Sequence, residues 1–444
     1  MKLCVSDNRR YLVHQDGRPF FYLGDTAWEL FHRCDREEAE RYLANRAAKG
    51  FNVIQAVALA ELDGLTTPNP YGELPLVDGD PARPREAYFE HVDYVVRRAN
   101  ALGLWVGFLP TWGRWVVNAG WSPPRPDEPV FTPENARCYG RFLGERYRDA
   151  QLIWILGGDR QATGVEAVWR AMAEGLAEGD GGTHLMTYHP YGPEASSTWF
   201  HDEPWLDLNM IQSGHSRRAM PNYRMIAADY ARLPTKPVFD GEPCYEDMAV
   251  GMAAGNGYFG AHDVRQAAYW GVLSGGCGHT YGCNNIWQMF KPGRQPVLGA
   301  RRSWVDSLDL EGAFDMRHVA ALALARPYLT RFPAPELVLA GSNGFTDHVE
   351  AARDGHRDAK DAGYIMAYTP MLNRHLTLDT SCLRGGRLRA WWYDPREGVA
   401  LDLGESPNSG VYTPPAPDSG PDWALVIDSV DAGYGPPGQA GCGC

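Results

Sequence analysis

The sequence lacks the features that define several classes of protein. No apolar run reaches the length of about 18 residues that a membrane-spanning helix needs. The nine cysteines are scattered, odd in number and without a CxxC pair, which argues against a disulfide framework and against a zinc ribbon. The first residues contain no apolar stretch of the kind that forms a signal peptide. We therefore expect a cytoplasmic protein, or a periplasmic or secreted one if a signal has been trimmed.

Basic patches are also missing. The chain has 42 Lys and Arg against 55 Asp and Glu, a formal net charge of -13, and the basic residues do not cluster. Because a nucleic-acid partner requires clustered cations, the sequence predicts none, and it predicts no membrane partner. The glycine-rich stretches lack the Lys-Ser/Thr of a P-loop and the GxGxxG spacing of a dinucleotide site. No cofactor is expected, and the oligomeric state is left open.

Aromatic residues, in contrast, are abundant. With 12% aromatic and 44% hydrophobic residues, the sequence indicates a folded globular protein. The 15 Trp and 22 Tyr also suit a sugar-binding protein, because an apolar sugar face can stack on an aromatic ring, although core packing accounts for most aromatics. A length of 444 residues exceeds what one core usually supports, so we expect one large and one smaller domain.

Short apolar runs rich in β-forming residues alternate with helical patterns through most of the chain. This alternation is typical of βαβ units and a parallel sheet, and eight such runs favour a closed (β/α)8 TIM barrel over an open sheet. We assign the barrel to residues 1–333. The predicted strands cover residues 21–24, 53–57, 105–109, 152–156, 185–188, 208–212, 237–239 and 278–282.

Capping signals mark helices between these strands. Asp35 precedes a helical pattern over residues 36–49, and a second pattern over residues 88–101 is closed by Gly103. Another helix is predicted to begin at Pro133.

Two long polar segments, 59–85 and 113–130, follow the second and third strands. In a barrel they overhang the C-terminal face, where active sites lie.

The pattern changes after the barrel. The proline-containing segment 332–335 ends the last helix, and short alternating runs separated by Gly, Asn and Asp turns follow it. We predict a C-terminal all-β sandwich over residues 334–430. The Gly/Pro-rich segment 431–444 cannot bury a core and is predicted to be disordered.

Two carboxylates follow predicted barrel strands. Asp159 follows the apolar fourth strand, and Glu242 follows the seventh strand between Gly241 and Pro243. Because the C-terminal ends of barrel strands surround one pocket, we expect both side chains to face the same ligand. Hydrolysis of a glycosidic bond needs one carboxyl group to protonate the leaving oxygen and another to attack the anomeric carbon or activate water. The pair therefore predicts a glycoside hydrolase.

The assignment of Asp159 as the partner of Glu242 has alternatives. Asp159 could instead cap the helix that follows it, and Asp240 or Asp25 could be the partner of Glu242. Asp240 lies two residues before Glu242, hence on the same strand face if the strand continues that far. Asp25 is expected to orient substrate or to hold an arginine.

Other polar and aromatic residues at the strand ends could bind sugar hydroxyls, stack on a sugar ring or tune the carboxylates. Any one of these histidines is more commonly structural, and any one of these tryptophans is as readily a packing residue. The predicted substrate-binding residues are Asp25, Trp28, Gln55, Trp112, His189, Gln212, His215, Tyr281 and Trp287.

Read together, four motifs resemble those of the apiosidase-like family, glycoside hydrolase family 140. They are the segments 19–28 and 50–55, Gly157-Gly158-Asp159 and Gly241-Glu242-Pro243. The resemblance covers nearly the full length and implies a barrel followed by a small β domain of the kind labelled collagen-binding. It also implies a catalytic pair at Asp159 and Glu242, and a β-apiosidase that releases apiose from plant glycans or glycosides.

The positions of the two acids also resemble those of retaining barrel glycosidases, which carry carboxylates after strands four and seven. This resemblance implies that Glu242 is the nucleophile and Asp159 the acid/base, with carboxyl groups about 5–5.5 Å apart. One departure is that those enzymes carry Asn-Glu after the fourth strand, where this chain has Gly158-Asp159. An Asp side chain is shorter than a Glu side chain, so the backbone must lie closer to the substrate, or the substrate closer to the backbone.

Two other functions stay open. A metal-dependent barrel hydrolase could use His189, His215 and His279 with nearby carboxylates as ligands, although the first strand has no His-x-His pair and no HExxH occurs. A non-catalytic glycan-binding protein could use the barrel as a scaffold and the β domain as an adhesin.

Overall fold

The central element of the fold is a barrel of parallel strands. The computed structural model describes residues 2–118, 129–372 and 375–438. Within them, eight parallel strands form the predicted barrel, and each strand overlaps its predicted run. The strands are β1 (Tyr22–Thr26), β2 (Val53–Leu59), β3 (Trp105–Thr111), β4 (Leu152–Gly157), β5 (Met186–His189), β6 (Asn209–Gln212), β7 (Val238–Asp240) and β8 (Gly278–Tyr281).

Neighbouring barrel strands are hydrogen-bonded in the order β5-β4-β3-β2-β1-β8-β7-β6. Between β5 and β6 the barrel is closed by hydrogen bonds from Asp207 N–H to Met186 O over 2.9 Å and from Thr187 Oγ1 to Leu208 O over 2.8 Å. The short strand Glu194–Ala195 pairs antiparallel with β6. The C-terminal ends of the eight strands therefore surround one opening.

Helices cover the outside of the barrel. Asp35 and Glu38 form a capping box at the start of α2, and Thr132 and Asn135 form one at the start of α4, so both predicted N-termini are confirmed. None of the helices in the described ranges is long and apolar enough to cross a membrane. The helices are α1 (Leu30–Arg33), α2 (Arg36–Ala48), α3 (Glu86–Ala101), α4 (Pro133–Tyr147), α5 (Glu166–Asp180), α6 (Ser197–Phe200), α7 (Asn222–Tyr230), α8 (Ala261–Leu273), α9 (Asn284–Trp287) and α10 (Glu311–Leu324).

Antiparallel sheets precede and follow the barrel along the chain. Before it, Leu3–Val5, Leu12–His14 and Pro19–Phe20 form a three-stranded sheet. After it, two sheets form the predicted β domain, with orders β9-β11-β12-β17-β14-β15 and β10-β13-β16. Their strands are β9 (Phe332–Pro333), β10 (Val338–Ala340), β11 (Glu350–Arg353), β12 (Tyr364–Thr369), β13 (Thr377–Asp379), β14 (Arg387–Asp394), β15 (Val399–Pro407), β16 (Val411–Tyr412) and β17 (Trp423–Ser429).

The larger sheet of the β domain is covered on both faces. Alternate residues of a strand point to opposite faces, and in β12 Tyr364, Met366 and Tyr368 join the hydrophobic core of the barrel. Ile365 and Ala367 join a separate core between the two sheets of the β domain. The sheet therefore packs on the barrel with one face and closes its own sandwich with the other.

Buried polar contacts also cross the domain interface. The guanidinium of Arg265 on α8 donates to both carboxylate oxygens of Asp422, over 2.9 and 3.0 Å, and to Asp315 of α10 over 2.7 Å. The rings of Tyr269 and Tyr368 stack with centroids 4.7 Å apart. Because removing one member of a buried ion pair costs about 3–5 kcal/mol, the Arg265–Asp422 pair fixes the position of the β domain on the barrel.

Part of the segment that was predicted to be disordered is ordered. The backbone oxygen of Gly435 accepts a hydrogen bond from Arg326 over 2.9 Å, and the guanidinium of Arg326 lies 4.8 Å from the centre of the Tyr434 ring. The aromatic side chain of Tyr434 thus anchors this segment, although its Gly and Pro content predicts disorder. Residues 439–444 of that prediction lie outside the described part of the chain.

Candidate active site

A pocket lies at the C-terminal end of the barrel. Its volume is about 470 Å³ with the open mouth included, and both predicted catalytic carboxylates lie in its wall. Trp28, Trp112, Gln212, His215 and Trp287, predicted to bind substrate, also line it. The complete lining is Trp28, Glu61, Trp112, Asp159, Gln212, His215, Glu242, Tyr245, Met248, Met252, Trp287 and Leu298.

Glu242 lies between two histidines. Its Oε2 is 2.8 Å from Nε2 of His189, and its Oε1 is 3.0 Å from Nε2 of His215. Burial alone would raise the pKa of Glu242, but the contacts with His189 and His215 outweigh it and lower the pKa to about 2. Glu242 is therefore a carboxylate at any pH at which the protein is expected to work.

Asp159 lies in a turn of unusual backbone geometry. Gly157, Gly158 and Asp159 have φ angles of 87°, 121° and 52°, a region that L side chains rarely adopt. A Cβ on Gly158 would lie 2.7 Å from the Trp112 ring, so the turn also needs glycine for space. A non-glycine residue held at positive φ next to a pocket is typical of a functional position.

The surroundings of Asp159 favour its protonated form. Burial and the neighbouring charge of Glu242 raise the pKa of Asp159 to about 6. Gln212 donates to Oδ1 over 3.1 Å, and Arg160 Nη1 lies 3.5 Å from Oδ2, which limits this rise. The side chain is 18% exposed against 7% for Glu242, so Asp159 lies nearer the mouth of the pocket. The pocket thus raises the pKa of Asp159 and lowers the pKa of Glu242.

The competing assignments for the acids fit the structure less well. Helix α5 begins at Glu166 after Val165, so Asp159 does not cap it. Asp240 accepts hydrogen bonds from Ser213 Oγ over 2.7 Å and from Asn222 over 3.1 Å, and it is not part of the pocket lining.

Aromatic rings line one side of the pocket. The rings of Trp28 and Trp112 are 5.0 Å apart between centroids, and both contact the ring of His189, at 5.3 and 5.5 Å. Trp28 Nε1 donates to the hydroxyl of Tyr245 over 3.2 Å. His189 is thus held between two indoles with Nε2 next to Glu242.

Four residues predicted to bind substrate are not part of the pocket lining: His189, which contacts Glu242, and Asp25, Tyr281 and Gln55. Asp25 is fully buried and pairs with Arg46 of α2 over 2.6 Å, which is the arginine-holding role considered for it. Tyr281, its register neighbour on β8, donates to Glu246 over 2.6 Å. Strand alternation turns both side chains outward toward the helices, which corrects their assignment.

Gln55 lies inside the barrel and beneath the pocket. Its Nε2 donates to the backbone oxygen of Gly241 over 3.1 Å. The residue is fully buried and is not part of the pocket lining. Its role is to support the turn that carries Glu242, which corrects the substrate-binding assignment.

Sequence reasoning missed two polar residues of the pocket. Glu61 comes from the segment 59–85 that was expected to overhang this face, and Arg160 donates to it over 2.8 Å. Tyr245 follows Glu242 by three positions; burial and the nearby Glu242 raise the pKa of its hydroxyl. A Cβ on Gly282 would lie 2.0 Å from the Tyr245 ring, so this glycine makes room for it. Of the segment 113–130, only residues 113–118 and 129–130 are described.

The histidines considered as metal ligands have other surroundings. His189 and His215 both direct Nε2 at Glu242, and His279 is buried inside the barrel, where burial lowers its pKa to about 3. Across the described ranges, no group of three or more His, Cys, Asp or Glu side chains is arranged to hold a metal ion.

Two solved structures that match nearly the whole chain are described as glycoside hydrolases. A structure described as a glycoside hydrolase is 34% identical with a TM-score of 0.87, and the match covers 97% of both chains. A glycoside hydrolase family 5 protein from Bacteroides vulgatus is also 34% identical with a TM-score of 0.87, covering 97% of this chain and 94% of that one. Another protein from the same organism, 16% identical with a TM-score of 0.65, shares the fold. Among curated protein sequences, none matches this chain significantly.

Two family models match consecutive parts of the chain. Residues 332–428 match the model described as "putative collagen-binding domain of a collagenase", which corresponds to the β domain. Residues 6–330, which contain the whole barrel and both pocket carboxylates, match the model described as apiosidase-like, catalytic domain. The chain therefore belongs to the apiosidase-like family and is a glycoside hydrolase.

Proposed function

We propose that this glycoside hydrolase is a β-apiosidase acting on plant glycans or glycosides by a retaining mechanism. Glu242 is the nucleophile and Asp159 the acid/base. The observation that carries the proposal is the contrast between two carboxylates in one pocket: Nε2 of His189 and Nε2 of His215 lie 2.8 and 3.0 Å from Glu242 and lower its pKa, whereas burial and the charge of Glu242 raise the pKa of Asp159. A retaining glycosidase needs one ionised and one protonated carboxyl group at the start of its first step.

In the first step, Asp159 donates its proton to the oxygen of the leaving group while Glu242 attacks the anomeric carbon. The bond between this carbon and the leaving oxygen breaks, and an ester forms between the sugar and Glu242. His215 hydrogen-bonds one oxygen of Glu242 and Nε2 of His189 lies 2.8 Å from the other, which favours the ionised carboxylate and its orientation before substrate arrives. The mechanism predicts a separation of about 5–5.5 Å between the carboxyl groups.

In the second step, Asp159 must act as a base. Formation of the ester removes the negative charge of Glu242, and this charge is one of the causes that raise the pKa of Asp159. The pKa of Asp159 therefore falls once the ester has formed, and its carboxylate can take a proton from the attacking water. Water then displaces Glu242 and the sugar leaves with its original anomeric configuration.

Substrate specificity is the first test. Purified protein incubated with apiose-containing flavonoid glycosides, with pectin side-chain fragments and with aryl β-apiosides is expected to release free apiose, measured by chromatography. Aryl glycosides of arabinofuranose, xylose and glucose serve as matched controls and are expected to be poor substrates. Preferential release of another sugar would refute the apiosidase assignment and leave the glycoside hydrolase in place.

The pH dependence of kcat/KM follows from the two pKa values. The active form has Glu242 deprotonated and Asp159 protonated, so it predominates between pH values of about 2 and about 6. We expect kcat/KM on an unactivated apioside to fall tenfold per pH unit above about 6, because Asp159 loses its proton. A profile that keeps rising from pH 6 to pH 8 would contradict the role of Asp159 as the acid.

A further inference from the structure

Arg160 lies between two of the acids that line the pocket. It follows Asp159 directly, and only 2% of its side chain is exposed. Its Nη2 donates to Oε1 of Glu61 over 2.8 Å, and its Nη1 donates to the backbone oxygen of Asp159 over 2.7 Å. The carboxyl oxygen Oδ2 of Asp159 is farther from Nη1, at 3.5 Å. Because a direct bond between an arginine and a carboxylate has a length of about 2.7–2.9 Å, Arg160 engages Glu61 rather than the side chain of Asp159.

The backbone of Arg160 is fixed from two sides. Its carbonyl oxygen accepts a hydrogen bond from the hydroxyl of Tyr188 over 3.1 Å. A Cβ on Gly113 would lie 2.9 Å from the Cβ of Arg160, so the glycine leaves the space that this side chain occupies. With the backbone held, the direction of the guanidinium depends on the groups that accept its hydrogen bonds.

Glu61 lines the pocket and its side chain is only 5% exposed, but neither step of the reaction uses it. From its bond to Arg160 we infer that Glu61 is a positioning residue: it holds the guanidinium at a distance from the carboxyl group of Asp159, so that this group can keep the proton it donates. The inference rests on the proposed role of Asp159 as the acid/base.

Charges from several strand ends act on Asp159. Burial and Glu242 raise the pKa of Asp159, whereas Arg160 and His189 lower it. An arginine in direct contact lowers the pKa of an aspartate by about 1–3 pH units. If Arg160 were released from Glu61, a small movement would bring it to Asp159, and the acid would lose its proton at a lower pH. The titratable groups that contact Asp159 or share its pocket are Glu61, Arg160, His189, His215, Glu242 and Tyr245.

Glu61 acts through its oxygen rather than through its charge. Burial raises the pKa of Glu61 against the opposing effect of Arg160, and the charge of Asp159 raises it further. The protonated form is therefore favoured, and its Oε1 still accepts the hydrogen bond from Arg160. Glutamine carries an acceptor oxygen in the same place, whereas leucine carries none. The variants Glu61→Gln and Glu61→Leu thus separate the loss of an acid from the loss of the acceptor.

The test is the alkaline limb of the pH profile of kcat/KM on an alkyl apioside. In Glu61→Leu we expect this limb to move down by at least about one pH unit, because Arg160 can then bind the carboxylate of Asp159. The loss in kcat/KM is then about tenfold or more at pH 7 and much smaller at pH 4, where Asp159 regains its proton. On a dinitrophenyl apioside, whose leaving group needs no proton, the loss at pH 7 should stay below about threefold. Glu61→Gln is expected to keep the limb of the parent protein.

Removing the arginine tests whether Glu61 acts through it. Arg160→Met takes away the positive charge, so the limb should move up, and adding Glu61→Leu to this variant should not move it further. Asp180→Asn controls for lost stability, since this buried acid binds His184 and is not part of the pocket lining. We expect this control to keep the limb of the parent protein.

Four results would overturn the inference. They are an unmoved limb in Glu61→Leu, a loss of the same size at pH 4 and pH 7, an equal shift with and without Arg160, and a shift in Glu61→Gln as large as in Glu61→Leu. If Glu61→Leu does not fold, Glu61→Ala lacks the same oxygen and takes its place. If the parent protein cleaves another glycoside instead of apiosides, the apiosidase assignment falls alone and the limb is measured on that glycoside.

Discussion

Glu242→Gln is expected to lower kcat on an aryl β-apioside by at least about 10⁴-fold, because the amide cannot attack the anomeric carbon. The substitution keeps the shape of the side chain, so binding of the substrate should persist and can be measured by calorimetry. Glu246→Gln is the matched control: Glu246 is also buried, four positions away, but it contacts Tyr281 and Gly312 rather than the pocket. We expect this control to keep its activity.

Azide tests whether the Glu242 carboxylate lies where it can attack the anomeric carbon. In Glu242→Gly, azide can enter the space left by the carboxylate and attack the anomeric carbon directly. If Glu242 is the nucleophile, the product is an apiosyl azide with the anomeric configuration opposite to that of the substrate, measurable by NMR. Turnover of Glu242→Gln within tenfold of the parent protein, with unchanged thermal unfolding, would remove Glu242 from the mechanism.

Asp159→Asn is expected to show a loss that depends on the leaving group. Proton donation by a general acid contributes about 10²–10⁴-fold, so kcat/KM on an alkyl apioside should fall by that factor. With a dinitrophenyl apioside the loss in kcat/KM should be much smaller, because this leaving group departs without a proton. Chromatographic measurement of the apiose released from the alkyl apioside and absorbance measurement of the dinitrophenol released from the aryl apioside compare the two substrates.

The control for Asp159 is Asp240→Asn, which changes one of the two other acids that the sequence allowed as partner of Glu242. Asp240 is hydrogen-bonded to Ser213 and Asn222, so this variant is expected to lose stability but to keep the same relative rates on the two leaving groups. Asp159 would be excluded as the acid if its variant lost equal factors on both substrates, or if only Asp240→Asn showed the dependence on leaving group.

The eight barrel strands could be predicted because each is a short apolar run that alternates with a helical pattern. The capping boxes at Asp35 and Thr132 depend on residues three positions apart, so they can be read from the chain directly. The two pocket carboxylates could be predicted for a related reason. Both follow strand ends, and the barrel topology alone brings strand ends to one opening.

Sequence patterns identified the pocket less completely because they do not reveal which way each strand-end residue points. Asp25 and Tyr281 are chemically suited to bind a sugar, but the alternation of β1 and β8 turns them toward α2 and Glu246. Glu61 and Tyr245 enter the pocket from loops whose path depends on long-range contacts, such as the bond between Glu61 and Arg160. Only the three-dimensional structure supplies these contacts.

The short side chain of Asp159 was the main departure from the resemblance to other retaining glycosidases. The three successive positive φ angles from Gly157 to Asp159 explain how the chain accommodates it. We attribute the position of the carboxylate to this turn, since the backbone itself, rather than a longer side chain, brings the acid to the pocket. Replacing the two glycines would therefore displace the acid as well as strain the turn.

The two covered faces of the larger β-domain sheet limit how this protein can be rearranged during evolution or in the laboratory. A second domain joined by a free linker can be exchanged for another, because each partner folds alone. Here a replacement domain would have to supply a partner for Arg265 and an aromatic ring for Tyr269. We therefore expect that a graft between relatives has to exchange both halves of this interface together.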